Sequence, residues 1–203
     1  AAKLQEAGLD RLNHNLNTSA RHYNKICTTH SFEDRLATLR AAKEAGLKVC
    51  SGVIIGMGEG QEDVVEMAVQ LREINAESIP VNFFMPIAGV AIKEAVGLTP
   101  AYCLRVLCLF RFLNPKAEIR MAAGREMHLR SLEPLGLYVA NSLFLQGYLN
   151  ARGGSDLRTL RMIKDAGFTI RSEMDLDRFL DRSPEKGSAD GIKSLDELRP
   201  FIE

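Results

Sequence analysis

The chain has 203 residues, sets 26 Lys and Arg against 26 Asp and Glu, and is 46% hydrophobic. This is the composition of an ordinary globular domain, and a net charge of zero removes the simplest ground for binding nucleic acid or an anionic membrane surface. No apolar run is long enough to cross a bilayer, and the N-terminal residues Ala1 to Gly8 read as a helix end and not as an export signal.

The elements alternate along the chain. A helix over 1–8 closes at Gly8, and a strand follows over 9–16. Ser31 caps a helix that carries Glu33 and Asp34 in its first turn and stops at Gly46. A strand is predicted over 48–55, then a glycine loop, a helix over 61–74 and a strand over 78–85 that ends at Pro86. Thr99-Pro100 opens a helix with proline at its first position, broken by Asn114-Pro115. A strand over 118–122, a helix over 126–135 and a strand over 137–145 come next. Ser155 caps a last helix that ends at Gly167. Five strands separated by helices imply parallel βα units.

A complete (β/α)₈ TIM-type barrel needs about 250 residues. About five βα units over 1–170 therefore read as the C-terminal part of such a barrel, and the lack of an initiator Met reads as a start inside a domain. Residues 171–203 change character: they are charged, contain Ser183-Pro184 and Gly187-Ser188, and read as a tail outside the barrel with a short helix near 194–199.

Chemistry concentrates on the strands. Cys50 lies on a strand, close to its C-terminal end, where the strand runs into the glycine-rich turn, a place that points toward the functional face of a barrel. Asn13, Asn15, Asn82, Arg120 and Asn141 occupy comparable places, and a core does not accept such groups without partners. Together they read as the lining of a polar pocket. With no export signal, the four cysteines read as reduced thiols. Cys103 and Cys108 read as small core residues of one helix, and Cys27 sits in a loop-like stretch. His14 points away from Asn13 and Asn15 and reads as a structural histidine; His22, His30 and His128 show no zinc spacing. Gly56-Met57-Gly58-Glu59-Gly60 lacks the dinucleotide spacing, and Glu62 and Asp63 at the next helix start compete with a phosphate. A close approach to an uncharged ring such as adenine fits it, as does a plain tight turn.

Leu12-Asn13-His14-Asn15-Leu16-Asn17-Thr18-Ser19, Val49-Cys50-Ser51-Gly52, Gly56-Met57-Gly58-Glu59, Ile79-Pro80-Val81-Asn82, Ile119-Arg120-Met121-Ala122-Ala123-Gly124-Arg125-Glu126 and Ala140-Asn141-Ser142 together resemble the biotin synthase family of radical S-adenosylmethionine (SAM) enzymes. The resemblance covers residues 1 to about 170. It implies a (β/α)₈ barrel with two clusters. A [4Fe–4S] cluster cleaves SAM to a 5′-deoxyadenosyl radical, and a [2Fe–2S] cluster gives sulfur to dethiobiotin, making biotin. It further implies a cytoplasmic homodimer served by an electron donor such as a flavodoxin-type reductant.

Residue by residue, the resemblance gives Cys50 as a thiolate ligand of the [2Fe–2S] cluster and Arg120 as an unusual arginine ligand. Chemistry alone assigns Arg120 as a donor and counter-ion. Asn15 and Asn82 match residues that hold the ureido ring of dethiobiotin, and Asn15 also lies against the SAM ribose. Asn17 matches a ribose partner that is often Asp, Arg35 the residue that pairs with the SAM carboxylate, and Ile54 a residue that packs on adenine. Gly89-Val90-Ala91 and Asn150-Ala151 depart from the family pattern near the barrel mouth. The Cys-x₃-Cys-x₂-Cys loop of the [4Fe–4S] cluster does not occur in this sequence. The chain alone is therefore expected to be inactive, and a half barrel with open sheet edges is expected to associate. The rival readings are another radical SAM enzyme acting on a different small molecule, and a non-catalytic half-barrel with a binding role.

Overall fold

Strand side chains alternate between two faces of a sheet, and here the alternation decides what each face carries. The computed structural model describes residues 1–87, 89–145, 147–148, 151–152 and 155–171. Strands β1 (Arg11–Asn13), β2 (Lys48–Cys50), β3 (Val53–Ile55), β4 (Ser78–Phe83), β5 (Glu118–Met121) and β6 (Ser142–Leu143) form one sheet. Its order is β1-β2-β4-β5-β6, with β3 also paired to β4, and every pairing is parallel. Register carries across the gap between β2 and β3: Cys50 lies opposite Ser78, and Val53 opposite Val81. They are one strand line interrupted at Ser51-Gly52. β7 (Gly147–Tyr148) and β8 (Ala151–Arg152) make a separate antiparallel pair.

Leu12, Val49, Val53, Ile55, Ile79, Val81, Phe83, Ile119, Met121 and Leu143 all join the hydrophobic core. They face the helices α3 (Phe32–Glu44), α4 (Gln61–Glu73) and α5 (Pro100–Leu113). Each helix supplies a stripe at helical spacing: Phe32, Leu36, Leu39 and Ala42 from α3, Val64, Met67, Ala68 and Leu71 from α4, and Cys103, Val106, Leu107 and Phe110 from α5. Their starts are chemically fixed. Ser31 and Asp34 form a reciprocal capping box, and the Thr99 hydroxyl accepts the Tyr102 N–H at 3.2 Å just before Pro100. The helix ends are fixed as well: Asn114, at the end of α5, donates from its amide to the Ala68 carbonyl at 3.1 Å and locks α5 to α4.

The structure shortens or breaks some predicted elements. The strand over 9–16 pairs only at 11–13. Asn13 lies opposite Cys50 and Asn17 opposite Val53, so the first strand holds one residue more than its neighbour in that interval. The surplus is absorbed as a bulge, with Asn17 at φ +68°, a left-handed conformation that asparagine tolerates. The helix predicted over 126–135 is instead α6 (Arg125–Leu129), a 3₁₀ turn (Arg130–Leu132) and α7 (Glu133–Gly136). Arg130 has φ +52°, and the Pro134 ring would clash with the carbonyl four residues earlier in a continuous helix. The strand predicted over 137–145 pairs only at β6, because Val139 and Ala140 donate back to Gly136. A helix absent from the sequence reading, α2 (Ala20–Ile26), buries only His22 and Tyr23 and so lacks an apolar stripe; the Ser19 hydroxyl caps it. The last helix, α8 (Asp156–Asp165), is capped by Ser155 as predicted. The helix expected near 194–199 lies outside the described residues, as does Asn150.

Candidate functional site

The sheet face opposite the core is polar. Register puts Asn13, Cys50, Ser78 and Glu118 side by side on β1, β2, β4 and β5. Two residues further along the strands, Pro80, Arg120 and Ser142 form the next level, and Ile54 beside Asn82 the level above that. At about 3.3 Å per residue, the level of Cys50 lies ~13 Å below that of Asn82. Cys50, Arg120, Asn82 and Ile54 therefore share one face in a fixed vertical order. Asn15 joins them at the middle level, where its side-chain carbonyl accepts the Gly52 N–H at 2.9 Å.

Cys50 is buried, and its thiol is free of any disulfide. Arg120 is held from several sides. Its Nε donates to the Ser142 hydroxyl at 2.8 Å, its Nη2 pairs with the Glu118 carboxylate, and its guanidinium lies 5.0 Å from the centroid of the Phe144 ring. Glu118 in turn accepts from the Ser78 hydroxyl at 3.3 Å and faces Arg11 at 3.8 Å. Burial works to raise the Glu118 carboxyl, but Arg120, Ser142 and Arg11 outweigh it and hold the group below the usual carboxylate range.

The two amides are braced by backbone. Asn82 donates to the Val53 carbonyl at 2.9 Å and accepts from Ala123 N–H at 3.2 Å. A primary amide has two donors and two acceptor sites, so Asn82 keeps one of each. Gly52 allows the sheet to close here: a Cβ at this position would lie 2.5 Å from the Pro80 carbonyl oxygen and 3.2 Å from the Asn15 amide oxygen. The glycine thus leaves room for the Asn15 amide and the Pro80 carbonyl of β4 side by side.

Arg35 donates from Nη1 to the Asn15 carbonyl at 2.9 Å and from Nε to the Tyr23 hydroxyl. Tyr23 also bonds His30 Nε2 at 2.9 Å, and His30 Nδ1 meets Thr29 at 2.9 Å and the Cys27 thiol at 3.5 Å. The Thr29 side-chain hydrogen bond, helped by its backbone N–H, lowers the Cys27 thiol to about 7, whereas burial pushes Cys103 up to about 12. Iodoacetamide at pH 7 should therefore modify Cys27 first and Cys103 last, as read by peptide mass spectrometry. Equal labelling of the two thiols would contradict this ordering. His14, turned away from Asn13 and Asn15, leaves Nε2 buried without a hydrogen-bond partner. Burial first, then the charges of Arg35 and His30, lower its pKa.

The glycine loop is closed on itself. The Glu59 carboxylate accepts from Gly56 N–H at 2.6 Å and Met57 N–H at 2.8 Å, with Gly56 at φ +103° and Gly58 at φ +98°. The backbone donors that a phosphate would need already serve a carboxylate.

Asn141 does not line the polar face, contrary to expectation. Its side-chain oxygen accepts from Ile119 N–H at 2.9 Å and Arg111 Nη2 at 2.8 Å, which ties the entry of β6 to α5. Arg125 and Glu126 form a buried pair at 2.7 Å. Sequence reasoning missed Glu118, Ser78 and Tyr23. The alternation Glu118-Ile119-Arg120-Met121 already places Glu118 on the face of Arg120. Tyr23 sits on the helix that had no apolar stripe to reveal it. Among the described residues, no group of three or more His, Cys, Asp or Glu could hold a metal ion. Nor is any helix among them long and apolar enough to cross a membrane.

Residues 1–71 match the radical SAM superfamily, and residues 80–169 match the biotin and thiamin synthesis associated domain. A biotin synthase of Acaryochloris marina is 58% identical over 176 residues, which is 87% of this chain and 51% of that protein. One of Magnetococcus marinus is 56% identical, over 84% of this chain and 53% of that protein. Among solved structures, methylornithine synthase superposes with a TM-score of 0.67 at 20% identity, over 87% of this chain and 57% of that one. That likeness shows the fold: a parallel sheet with helices on one side, part of a (β/α)₈-type barrel. The chain spans about half the length of the curated relatives it matches, and with the two matched regions present in that order it is strongly similar to the biotin synthase family.

Proposed function

We propose that this chain carries the substrate-holding and sulfur-donating part of a biotin synthase, which converts dethiobiotin to biotin with SAM. The observation that supports this most is the vertical order of one polar face, with Cys50 lowest, Arg120 and Asn15 in the middle, and Asn82 with Ile54 at the top. Residues 1–170 are assigned to the barrel part; the charged tail assigned to 171–203 falls, from residue 172 on, outside the described residues. The full protein is a cytoplasmic homodimer that draws electrons from a flavodoxin-type reductant.

Cys50 fits a [2Fe–2S] cluster on this face. It is a free thiol on the same face as the Arg120 guanidinium, whose charge can balance sulfide and thiolate, and thiolates are the usual iron ligands. One thiol is not a ligand set, so the remaining thiolates and the [4Fe–4S] loop come from residues that this sequence does not contain. When bound, the clusters supply the sulfur and the one-electron chemistry. The chain's own residues bind and orient. A urea offers donor and acceptor side by side, which matches the spare donor and acceptor of Asn82 and the unused groups of Asn15. Arg35, braced by Tyr23 and the Asn15 backbone, offers its Nη2 to the SAM carboxylate. Ile54 gives adenine an apolar seat, and the left-handed Asn17 presents its amide to the ribose.

The test uses a completed protein, in which this chain is joined to the part of the Acaryochloris marina relative that it does not cover. After anaerobic reconstitution with iron and sulfide, it should form biotin from dethiobiotin, SAM and a reductant. SAM cleavage without biotin would favour a radical SAM enzyme with another substrate. No SAM cleavage at all would favour a binding role. In this protein Asn82→Ala should weaken dethiobiotin binding by about 1–3 kcal/mol, the cost of a lost buried partner, and SAM binding by much less. Equilibrium dialysis with both ligands distinguishes this from a general structural role, in which both affinities fall together.

A further inference from the structure

Glu118 stands out on the polar face, because a carboxylate there opposes the requirement to bind electron-rich sulfur. It sits on the level of Cys50 and Ser78, one level below Arg120 on the same strand. Every group around it is a donor. Arg11 lies on one side at 3.8 Å, the Ser78 hydroxyl at 3.3 Å, and Arg120 pairs through Nη2. Arg120 then reaches Ser142 on the next strand at 2.8 Å. A guanidinium bonded at both Nε and Nη2 has little rotational freedom, since its fork is planar and its donors point in fixed directions.

We propose that Glu118 is a positioning residue that fixes the guanidinium of Arg120 on the inner face, one level above that of Cys50, and offsets one of the two positive charges that Arg11 and Arg120 bring to that pocket. The inference rests on the proposed function for what the pocket holds, but the clamp itself is a property of this chain. Arg11 and Arg120 bring two cations to the face, and Glu118 is the carboxylate between them. Removing its charge leaves both cations facing the pocket. Removing the whole side chain frees Nη2 and leaves Arg120 tethered through Ser142 and the Phe144 ring. Any group bound beside Cys50 then meets a more positive and less ordered neighbour. For an iron–sulfur cluster, net charge and hydrogen bonds to sulfur set the reduction potential, so the potential must rise.

The experiment uses the completed protein with Glu118→Gln, Glu118→Asp and Glu118→Ala, read in two arms. In the apo protein labelled with ¹⁵N-arginine, the Arg120 Nη2–H group should give one slowly exchanging signal. It should persist in Glu118→Asp and broaden or vanish in Glu118→Ala. In the reconstituted protein, Glu118→Gln should keep its [2Fe–2S] absorbance with a raised midpoint potential, Glu118→Asp should restore the native value, and Glu118→Ala should lose iron to a chelator several-fold faster. An unchanged Arg120 signal in Glu118→Ala overturns the clamp. A preserved clamp signal pattern with an unchanged potential in Glu118→Gln overturns the charge role. If the unsubstituted protein takes up no [2Fe–2S] cluster, the functional reading fails, and the apo arm still decides the clamp.

Discussion

Replacing Cys50 with alanine in the completed protein should remove the [2Fe–2S] absorbance and reduce biotin formation to background. In the proposed function the Cys50 thiolate is a covalent ligand of the cluster, and no other cysteine of this chain lies on that face among the described residues: Cys103 packs in the core, Cys108 is on α5, and Cys27 ends α2. SAM cleavage should survive in part, since the proposal places its cluster on other residues. Arg120→Met should be milder. A guanidinium is a hydrogen-bond donor, and Arg120 is already anchored by Glu118 and Ser142. The cluster should therefore persist on its thiolates with an altered potential. Iron and sulfide content, read beside turnover in both variants, decides the matter. A full cluster in the Cys50 variant would sink the assignment of this residue.

The second large effect is on stability and lies away from the polar face. Arg125 is fully buried, as is Glu133. Arg125 bonds Glu133 at 3.0 Å, Glu126 at 2.7 Å, the Phe144 carbonyl, and Thr159 on α8 at 3.4 Å, while Arg158 on α8 reaches Glu133 at 2.8 Å. A paired buried charge adds little net stability, but removing one partner strands the other. Arg125→Met should cost about 3–5 kcal/mol for that reason. Set against a total of about 5–15 kcal/mol for a domain, this approaches loss of the fold. With an m-value of about 1–3 kcal/mol per M in urea, the unfolding midpoint should fall by at least about 1 M. Arg125→Met with Glu133→Leu should recover part of the loss, because both charges leave together. A single variant that unfolds within a few tenths of the native midpoint would show that the pair is not an isolated charge cluster.

The sequence announced the elements whose signals are local. Ser31, Thr99 and Ser155 mark helix starts by capping chemistry, and all three cap in the structure. Strand alternation likewise predicts that Cys50 and Val49 face opposite ways. What escaped were features set by tertiary competition. β6 is two residues long because Val139 and Ala140 spend their N–H groups on a preceding turn. Asn141 carries the same amide as Asn82, yet one residue of strand phase turns it toward Arg111 and the helix layer. Helix α2 is held by contacts from elsewhere, such as Ala20 N–H to Glu66 at 3.0 Å, which no window of sequence reveals. The resemblance named Arg35 and Asn15 separately. Their bond through the Asn15 backbone, with Tyr23 behind Arg35, is visible only in three dimensions.

The carboxylate lodged in the glycine loop bears on competition inside a cell. Adenine-bearing molecules are dominated there by di- and triphosphates, far more abundant than any sulfonium analogue of adenosine. Glu59 holds the Gly56 and Met57 N–H groups, and Glu62 and Asp63 open the following helix. A polyphosphate tail brought to this loop would find its natural donors occupied and three acidic side chains nearby, a repulsive arrangement. An adenosine that carries no phosphate meets no such barrier. In the proposed function, selection between the two would act by exclusion at this loop, before any contact with the ring or the ribose discriminates.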